Sequence, residues 1–164
     1  MCGGIMLHTD GAVTINPGGS GGWAFVATFP DGKVMSQSGG MNKTTNNRME
    51  MLAIIKGLEA IEPYQIITVY SDAKIVVTPM QGGFPRQWRL DGWRRKGGQI
   101  ANQDLWRRLL DAVDRHALVN WEWVKGHSDC QLNSECDRLA REASRNGPWP
   151  TDAKYEQQVA TMFD

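Results

Sequence analysis

Four acidic residues stand at the ends of predicted helices and strands. Asp10 and Asp72 each close a short apolar run that is typical of a buried strand, whereas Glu50 and Asp137 each lie in the first turn of a predicted helix. If the four carboxylates converge, they cannot all be ionised side by side without a cation. Mg²⁺ prefers a few carboxylate oxygens together with water and substrate phosphate. Two such ions about 4 Å apart would bind the attacking and leaving oxygens of a phosphodiester.

Each acid, taken alone, also has a structural explanation. Asp10 could open a turn with the glycine that follows it, and Asp72 could cap the next helix. Glu50 and Asp137 each lie three residues after a candidate cap residue, which is the spacing of a capping box. Both explanations stay open at this point, because a single sequence does not show whether acids so far apart in the chain meet in space.

The composition is that of one globular domain with no bulk preference for an anionic partner. The chain has 164 residues, and its 18 basic residues balance its 18 acidic ones. Any nucleic-acid site must therefore depend on local charge. Three cysteines, together with the lack of an export signal and of a long apolar run, favour a cytoplasmic protein that does not bind membranes. The spacing of His127, Cys130 and Cys136 does not suit structural zinc, since only distant Cys2 could be the fourth ligand.

The order of the predicted elements indicates a mixed α/β fold. An antiparallel meander comes first and crossover helices follow, which predicts a mixed sheet. A polar, weakly patterned tail follows Pro148 and receives no predicted element. In chain order, the predicted elements are strands ending at residue 10 and over 23–29 and 33–40, a largely buried helix over 45–61, a strand over 66–72, a short helix from 73 to about 79, an irregular segment over 80–102, a helix over 104–116, a strand over 118–124 and a helix over 134–144.

Several segments together resemble the bacterial form of type 1 ribonuclease H, in matching order and spacing from about Ile5 to Ala143. The resemblance implies a ribonuclease H-like fold, in which a five-stranded mixed sheet is flanked by helices on both faces. Residues 1–147 would form this domain and residues 148–164 a C-terminal tail. The matching segments are HTDGAVTINPGG (8–19), TTNNRMEMLA (44–53), YSDAK (70–74), LWRRLLDAV (105–113), WEWVKGH (121–127) and ECDRLAREA (135–143).

The resemblance also implies an activity and its cofactor. A ribonuclease H of this type hydrolyses the RNA strand of RNA–DNA hybrids by a two-metal-ion mechanism and leaves 3′-hydroxyl and 5′-phosphate ends. By resemblance, Asp10, Glu50, Asp72 and Asp137 bind two Mg²⁺ ions, for which Mn²⁺ can substitute. His127 matches the family's mobile histidine, which helps to position or deprotonate the attacking water or assists product release. We expect a monomer whose partner is the hybrid.

Substrate contacts are expected on both sides of the acids. Amide side chains both donate and accept hydrogen bonds, as do the 2′-hydroxyls that the wide minor groove displays. A basic segment with interleaved tryptophans, residues 86–98, resembles the family's basic protrusion, which binds the DNA strand's backbone; a solvated charged loop is the alternative. The residues expected at the substrate are Gly11, Asn16, Thr45, Asn46, Asn47, Lys74, Trp88, Trp93, Arg94 and Arg95.

The chain departs from the family pattern at two places near the acids. Ala73-Lys74 replaces the usual Ser-Gln, so that an amide contact is lost there or replaced by a phosphate contact. The segment SDCQL after His127 is also unusual. Two other functions stay open: a non-catalytic hybrid-binding module, against which the four acids speak, and another nuclease of the ribonuclease H-like superfamily, against which the paired asparagines speak.

Overall fold

A five-stranded mixed sheet forms the centre of the molecule. The structure is a computed structural model that describes residues 3–126 and 130–162. Within those residues the strands are β1 (Ile5–Val13), β2 (Gly21–Thr28), β3 (Val34–Met41), β4 (Ile66–Ser71), β5 (Arg94–Arg95), β6 (Gly98–Gln99) and β7 (Leu118–Trp123). The main sheet has the order β3-β2-β1-β4-β7, and β5 and β6 form a separate ribbon. Neighbours β1, β2 and β3 are antiparallel, whereas β4 is parallel to both β1 and β7.

Helices pack on both faces of this sheet, which confirms the predicted fold class. Two consecutive glycines of β2 show the arrangement, because successive residues of a strand face opposite sides. A Cβ on Gly21 would meet Met49 in one helix, and a Cβ on Gly22 would meet Ala140 and Ser144 in another. The helices are α1 (Asn46–Ala60), α2 (Lys74–Gly82), α3 (Phe84–Leu90), α4 (Gln103–Asp114), α5 (Gln131–Arg145) and α6 (Ala153–Met162).

The helix α1 is buried along most of its length, as its sequence predicts. It lies between the sheet and α4, and its apolar residues contribute the largest share of the core. Thr45 caps its first turn by accepting a hydrogen bond from the Arg48 N–H at 3.2 Å. A helix enclosed in this way can hold a polar side chain at a defined place, because the surrounding packing restricts its movement.

Several boundaries differ from the sequence-based expectations. β1 continues three residues beyond Asp10, because that end of the strand still pairs with β2. α2 continues past Pro79 to Gly82, and the packing of buried Val76 and Val77 outweighs the hydrogen bond that a proline removes. The segment predicted to be irregular contains α3 and the β5–β6 ribbon, α5 begins at residue 131 instead of 134, and the tail contains α6.

The C-terminal segment lies against the start of α1. Thr151 forms a parallel bridge with Asn42, and the Trp149 indole N–H donates to the Ala143 carbonyl at 2.5 Å. In the described part of the chain, none of the helices combines the length and the apolar character needed to cross a bilayer.

We expect Gly22→Ala to lower the free energy of unfolding by about 1–3 kcal/mol, because the added methyl group would overlap the Ala140 carbonyl and lie 2.6 Å from the Ser144 nitrogen. Urea denaturation measures the change. The matched control is Gly3→Ala, since a Cβ at that position meets no atom within 4 Å. Equal stability of the two variants would contradict the close packing of α5 on β2.

Candidate active site

Asp10 and Asp72 lie next to each other where β1 and β4 diverge. The parallel register pairs His8 with Tyr70. Asp10 lies two residues after His8 within β1, and Asp72 lies two residues after Tyr70, directly after the end of β4. The rings of His8 and Tyr70 stack with their centroids 4.7 Å apart. Because the last paired residues of β1 and β4 are in register, the two carboxylates reach the same edge of the sheet.

Glu50 reaches this edge from α1, and Gly11 allows the approach. A Cβ on Gly11 would lie 2.5 Å from the Glu50 nitrogen and 2.6 Å from the Met49 carbonyl carbon. A larger residue would therefore push α1 away from β1. The sequence predicted a substrate contact for Gly11, and the structure gives it this packing role.

Three of the four predicted acids form one cluster. One oxygen from each of Asp10, Glu50 and Asp72 lies within 4.8 Å of the others. Asp137 does not belong to this cluster, but it lines the same cavity of about 100 Å³ as Asp10 and Asp72. Arg141, one turn later on α5, donates to the Asp137 carboxylate at 3.0 Å. The other lining residues are Thr9, Val124, Lys125, Gly126, Asn133 and Ser134.

The structural explanations considered for these acids fail. Glu50 is the fifth residue of α1 and Asp137 the seventh residue of α5, so the prediction that both lie in the first turn is wrong and neither completes a capping box. Ala73 occupies the position before α2 and makes no side-chain cap. Asp10 lies inside β1 and opens no turn.

Burial and mutual repulsion make the cluster difficult to ionise in the absence of a cation. Burial, followed by the charge of Asp72, raises the pKa of Asp10 from 3.8 to about 7. Burial, followed by the charge of Asp10, raises the pKa of Glu50 well above its ordinary value. The buried Oε2 of Glu50 has no hydrogen-bond partner among the described residues. An all-oxygen site with an unsatisfied buried oxygen fits a hard divalent cation.

The predicted substrate-reading residues lie together beside Glu50. The side-chain oxygen of Asn16 accepts a hydrogen bond from the Asn46 N–H at 3.1 Å. Thr45 caps α1, and Asn47 is exposed in its first turn. These four polar residues therefore lie together at the N-terminal end of the helix that carries Glu50.

Lys74 lies two residues after Asp72, and its side chain lies over Trp123. The Lys74 ammonium group is 4.3 Å from the centre of the Trp123 ring, and the indole N–H donates to the Asp72 carbonyl at 3.1 Å. Trp123 is 42% exposed. Trp123 is not among the predicted site residues, although it belongs to the segment WEWVKGH.

The basic segment divides into exposed charges and a buried support. Arg94 and Arg95 are exposed on the β5–β6 ribbon. Trp93 is only 1% exposed, so the prediction that it contacts substrate is wrong for this conformation, because no face of its ring is accessible. Trp88 is half-buried and packs edge-on against Trp106, with the ring centroids 5.2 Å apart. His127 lies outside the described residues.

We expect Asp10→Asn to raise the free energy of unfolding of the metal-free protein at pH 8 by about 1–3 kcal/mol. The pKa of Asp10 is about 7 in the folded protein and 3.8 in an unfolded chain, so its carboxyl destabilises the fold increasingly as the pH rises from about 4 to 7, and the effect is complete above pH 7. The gain should disappear below about pH 4, where the carboxyl is protonated in both states. Urea denaturation in EDTA at the two pH values tests this, with exposed Asp31→Asn as the control. A gain that is independent of pH would contradict the electrostatic origin.

Comparison with known proteins identifies the family. A family model described as RNase H matches residues 3–145. The chain is 41% identical over 155 residues to ribonuclease H of Rippkaea orientalis, covering 94% of this chain and 93% of that protein. It is 37% identical over 145 residues to ribonuclease HI of Synechocystis sp., covering 88% and 89%. The crystal structure of LC9-RNase H1, a type 1 RNase H with the type 2 active-site motif, superposes with a TM-score of 0.77 at 26% identity, covering 95% of this chain and 80% of the other. This chain therefore belongs to the ribonuclease H family.

Proposed function

We propose that this chain is an endonuclease that hydrolyses the RNA strand of RNA–DNA hybrids and leaves 3′-hydroxyl and 5′-phosphate ends. The observation that carries the proposal is the cluster of Asp10, Glu50 and Asp72, whose oxygens lie within 4.8 Å of one another at the open edge of the sheet. Family membership supports the choice of substrate, since relatives that are about 40% identical over most of the chain are named ribonuclease H.

Two Mg²⁺ ions, with Mn²⁺ as a substitute, are the proposed cofactors. Asp10, Glu50 and Asp72 would hold them, and Asp137 would complete the site from α5. When bound, the ions supply positive charge at the attacking and leaving oxygens of the phosphodiester. The protein's own contribution is to hold the carboxylates in place. Because the pKa values of Asp10 and Glu50 are raised, binding of the ions would favour the release of protons from this pair.

The residues around the acids are proposed to recognise the substrate in two ways, through hydrogen bonds in the minor groove and through a charge contact with a phosphate. Asn16, Thr45, Asn46 and Asn47 lie beside Glu50, where their polar groups can bind minor-groove edges and 2′-hydroxyls. Lys74, two residues after Asp72, would contact a phosphate. His127, by its position in the family motif, would act on the attacking water or on product release.

The exposed charges of the β5–β6 ribbon are proposed to bind the phosphates of the DNA strand. Arg94 and Arg95 are both exposed there. Trp88 would support the ribbon from beneath through its packing on Trp106.

A cytoplasmic location and a monomeric state belong to the same proposal. The free thiols of Cys130 and Cys136 support the location, because structural disulfides are rare in a reducing compartment.

We expect wild-type protein with Mg²⁺ to cleave the RNA strand of a labelled RNA–DNA hybrid, and Asp10→Asn to abolish cleavage while binding of the hybrid survives. Binding should survive because the phosphate and minor-groove contacts do not depend on this carboxylate. Asp31→Asn should cleave normally, since Asp31 lies in an exposed turn. Duplex DNA and duplex RNA of the same sequence serve as further substrates.

Retained cleavage by Asp10→Asn would refute the assignment of this acid. Wild-type binding of the hybrid without cleavage would instead indicate a non-catalytic hybrid-binding module. Equal cleavage of hybrid and duplex DNA would indicate another nuclease of the superfamily.

We expect the double variant Arg94→Ala/Arg95→Ala to raise KM for the hybrid by about five- to tenfold at moderate salt, with kcat unchanged, because it removes two phosphate-binding charges. The slope of the logarithm of affinity against the logarithm of salt concentration should become less steep by about two. Steady-state cleavage at several salt concentrations measures both quantities. The control is Lys33→Ala, a highly exposed cation in the turn between β2 and β3. A KM equal to that of the wild type would exclude a role for the ribbon in binding.

A further inference from the structure

The chain after α5 returns to the residues that lead into α1. The Asp152 N–H donates to the Asn42 carbonyl at 2.8 Å, and the Asn42 N–H donates to the Pro150 carbonyl at 2.8 Å. Lys43, the residue after Asn42, forms an ion pair of 3.1 Å with Glu156, four residues after Asp152. The C-terminal segment therefore lies beside residues 42–44, which directly precede the substrate-reading residues.

Arg48 connects this segment with α1 and α4. Its side chain is 3% exposed, and its guanidinium donates to two carboxylates and one amide. Nε and Nη2 donate to Asp152 at 2.7 and 3.0 Å, Nη1 and Nη2 donate to Asp104 at 2.9 and 2.6 Å, and Nη1 also donates to Asn102 at 3.2 Å. All five N–H groups of a guanidinium can be satisfied by these bonds, so Arg48 is held in one orientation.

Asp152 joins the two residues that flank the substrate-reading segment. Its carboxylate is almost completely buried and accepts hydrogen bonds from the Thr44 hydroxyl at 2.7 Å and from Arg48. It also accepts from the Tyr155 N–H at 3.3 Å in the first turn of α6. One side chain thus binds the chain immediately before and immediately after residues 45–47.

The other side of the same segment is held by the glycine-rich turn. The Gly18 N–H donates to the Thr44 carbonyl at 2.7 Å, and the Thr44 N–H donates to the Gly19 carbonyl at 3.0 Å. Asn16 accepts from the Asn46 N–H. The start of α1 is therefore fixed from two directions, by uncharged groups on the side of the glycine-rich turn and by the buried Asp152 carboxylate on the side of the C-terminal segment.

We propose that Asp152 is a positioning residue for recognition of the RNA strand: through Thr44 and Arg48 it orients Thr45, Asn46 and Asn47 toward the minor groove without touching substrate itself. The proposal rests on the proposed function, because it assumes that these three residues read the hybrid. Asp152 acts on the amide contacts that distinguish RNA from DNA, and it lies on none of the elements that carry the phosphate-binding arginines. Its loss should therefore change selectivity and leave general affinity for nucleic acid intact.

The test measures binding of an RNA–DNA hybrid and of duplex DNA of the same sequence by fluorescence anisotropy in EDTA. We expect Asp152→Asn to raise the dissociation constant for the hybrid by about tenfold and that for duplex DNA by less than about twofold. With Mg²⁺, KM for the hybrid should rise in parallel, and kcat should stay within about threefold of the wild-type value. All measurements are made well below the unfolding midpoint of each variant.

Two controls separate positioning from loss of stability. Ile61→Ala removes a buried side chain at the far end of α1 and should destabilise the protein without changing the ratio of the two dissociation constants. Glu156→Gln removes an exposed charge of the same C-terminal segment and should leave the ratio unchanged. If Asp152→Asn does not fold, Thr44→Val decides the question, because it removes the hydroxyl that binds Asp152 and should shift the ratio in the same direction.

Three results would overturn the proposal: an unchanged ratio in a folded Asp152→Asn variant, an unchanged ratio in Thr44→Val if the first variant does not fold, or an equal shift of the ratio in Ile61→Ala. A wild-type protein that does not cleave the hybrid would refute the proposed function instead. Because wild-type cleavage and the binding ratio of the variant are measured separately, the two failures are distinguishable.

Discussion

The repulsion among Asp10, Glu50 and Asp72 is the constraint on which the rest of the structure depends. Carboxylates gathered within 4.8 Å of one another and partly removed from water oppose the folding of the segments that carry them. The surrounding structure must supply the compensating energy. It does so through the register of β1 with β4, through the close approach of α1 over Gly11, and through the buried apolar side chains along α1.

The network around Arg48 shows how the start of α1 resists this repulsion. Arg48 lies two residues before Glu50, and its guanidinium binds carboxylates from the first turn of α4 and from the residue before α6. An acid at a helix N-terminus is also stabilised by the helix dipole. Asp104 and Asp152 are therefore each stabilised by Arg48 and by the N-terminus of a helix, and together they attach α1 to both helices. The C-terminal segment is in this way part of the frame around the acidic cluster.

Two kinds of side chain lie around the acids in separate places. Small polar groups can form hydrogen bonds with 2′-hydroxyls and base edges, and arginines can bind phosphates. Small polar side chains lie beside Glu50, and exposed arginines lie on the β5–β6 ribbon, whose base contains buried Trp93. Arg107 lies 5.0 Å from the centre of the Trp93 ring, so the tryptophan also fixes α4 against the ribbon. Lys74 lies over Trp123, whose indole N–H donates to the Asp72 carbonyl, so a further cation is connected to the segment that carries Asp72.

The order of periodic apolar runs in the sequence predicted the fold class, because burial patterns are encoded in neighbouring residues, and the resemblance to ribonuclease H singled out the four acids and the polar residues before Glu50. The sequence did not show where β1 ends relative to Asp10, whether Trp93 is exposed, or that Asp137 lines the same cavity as Asp10 and Asp72 without belonging to the 4.8 Å cluster. It also gave no sign that Arg48 binds acids 56 and 104 residues away. Those features depend on contacts between segments distant in the chain. These features follow from the packing of distant segments, because the same residue types could equally be helix caps, surface charges or exposed aromatic rings in another environment.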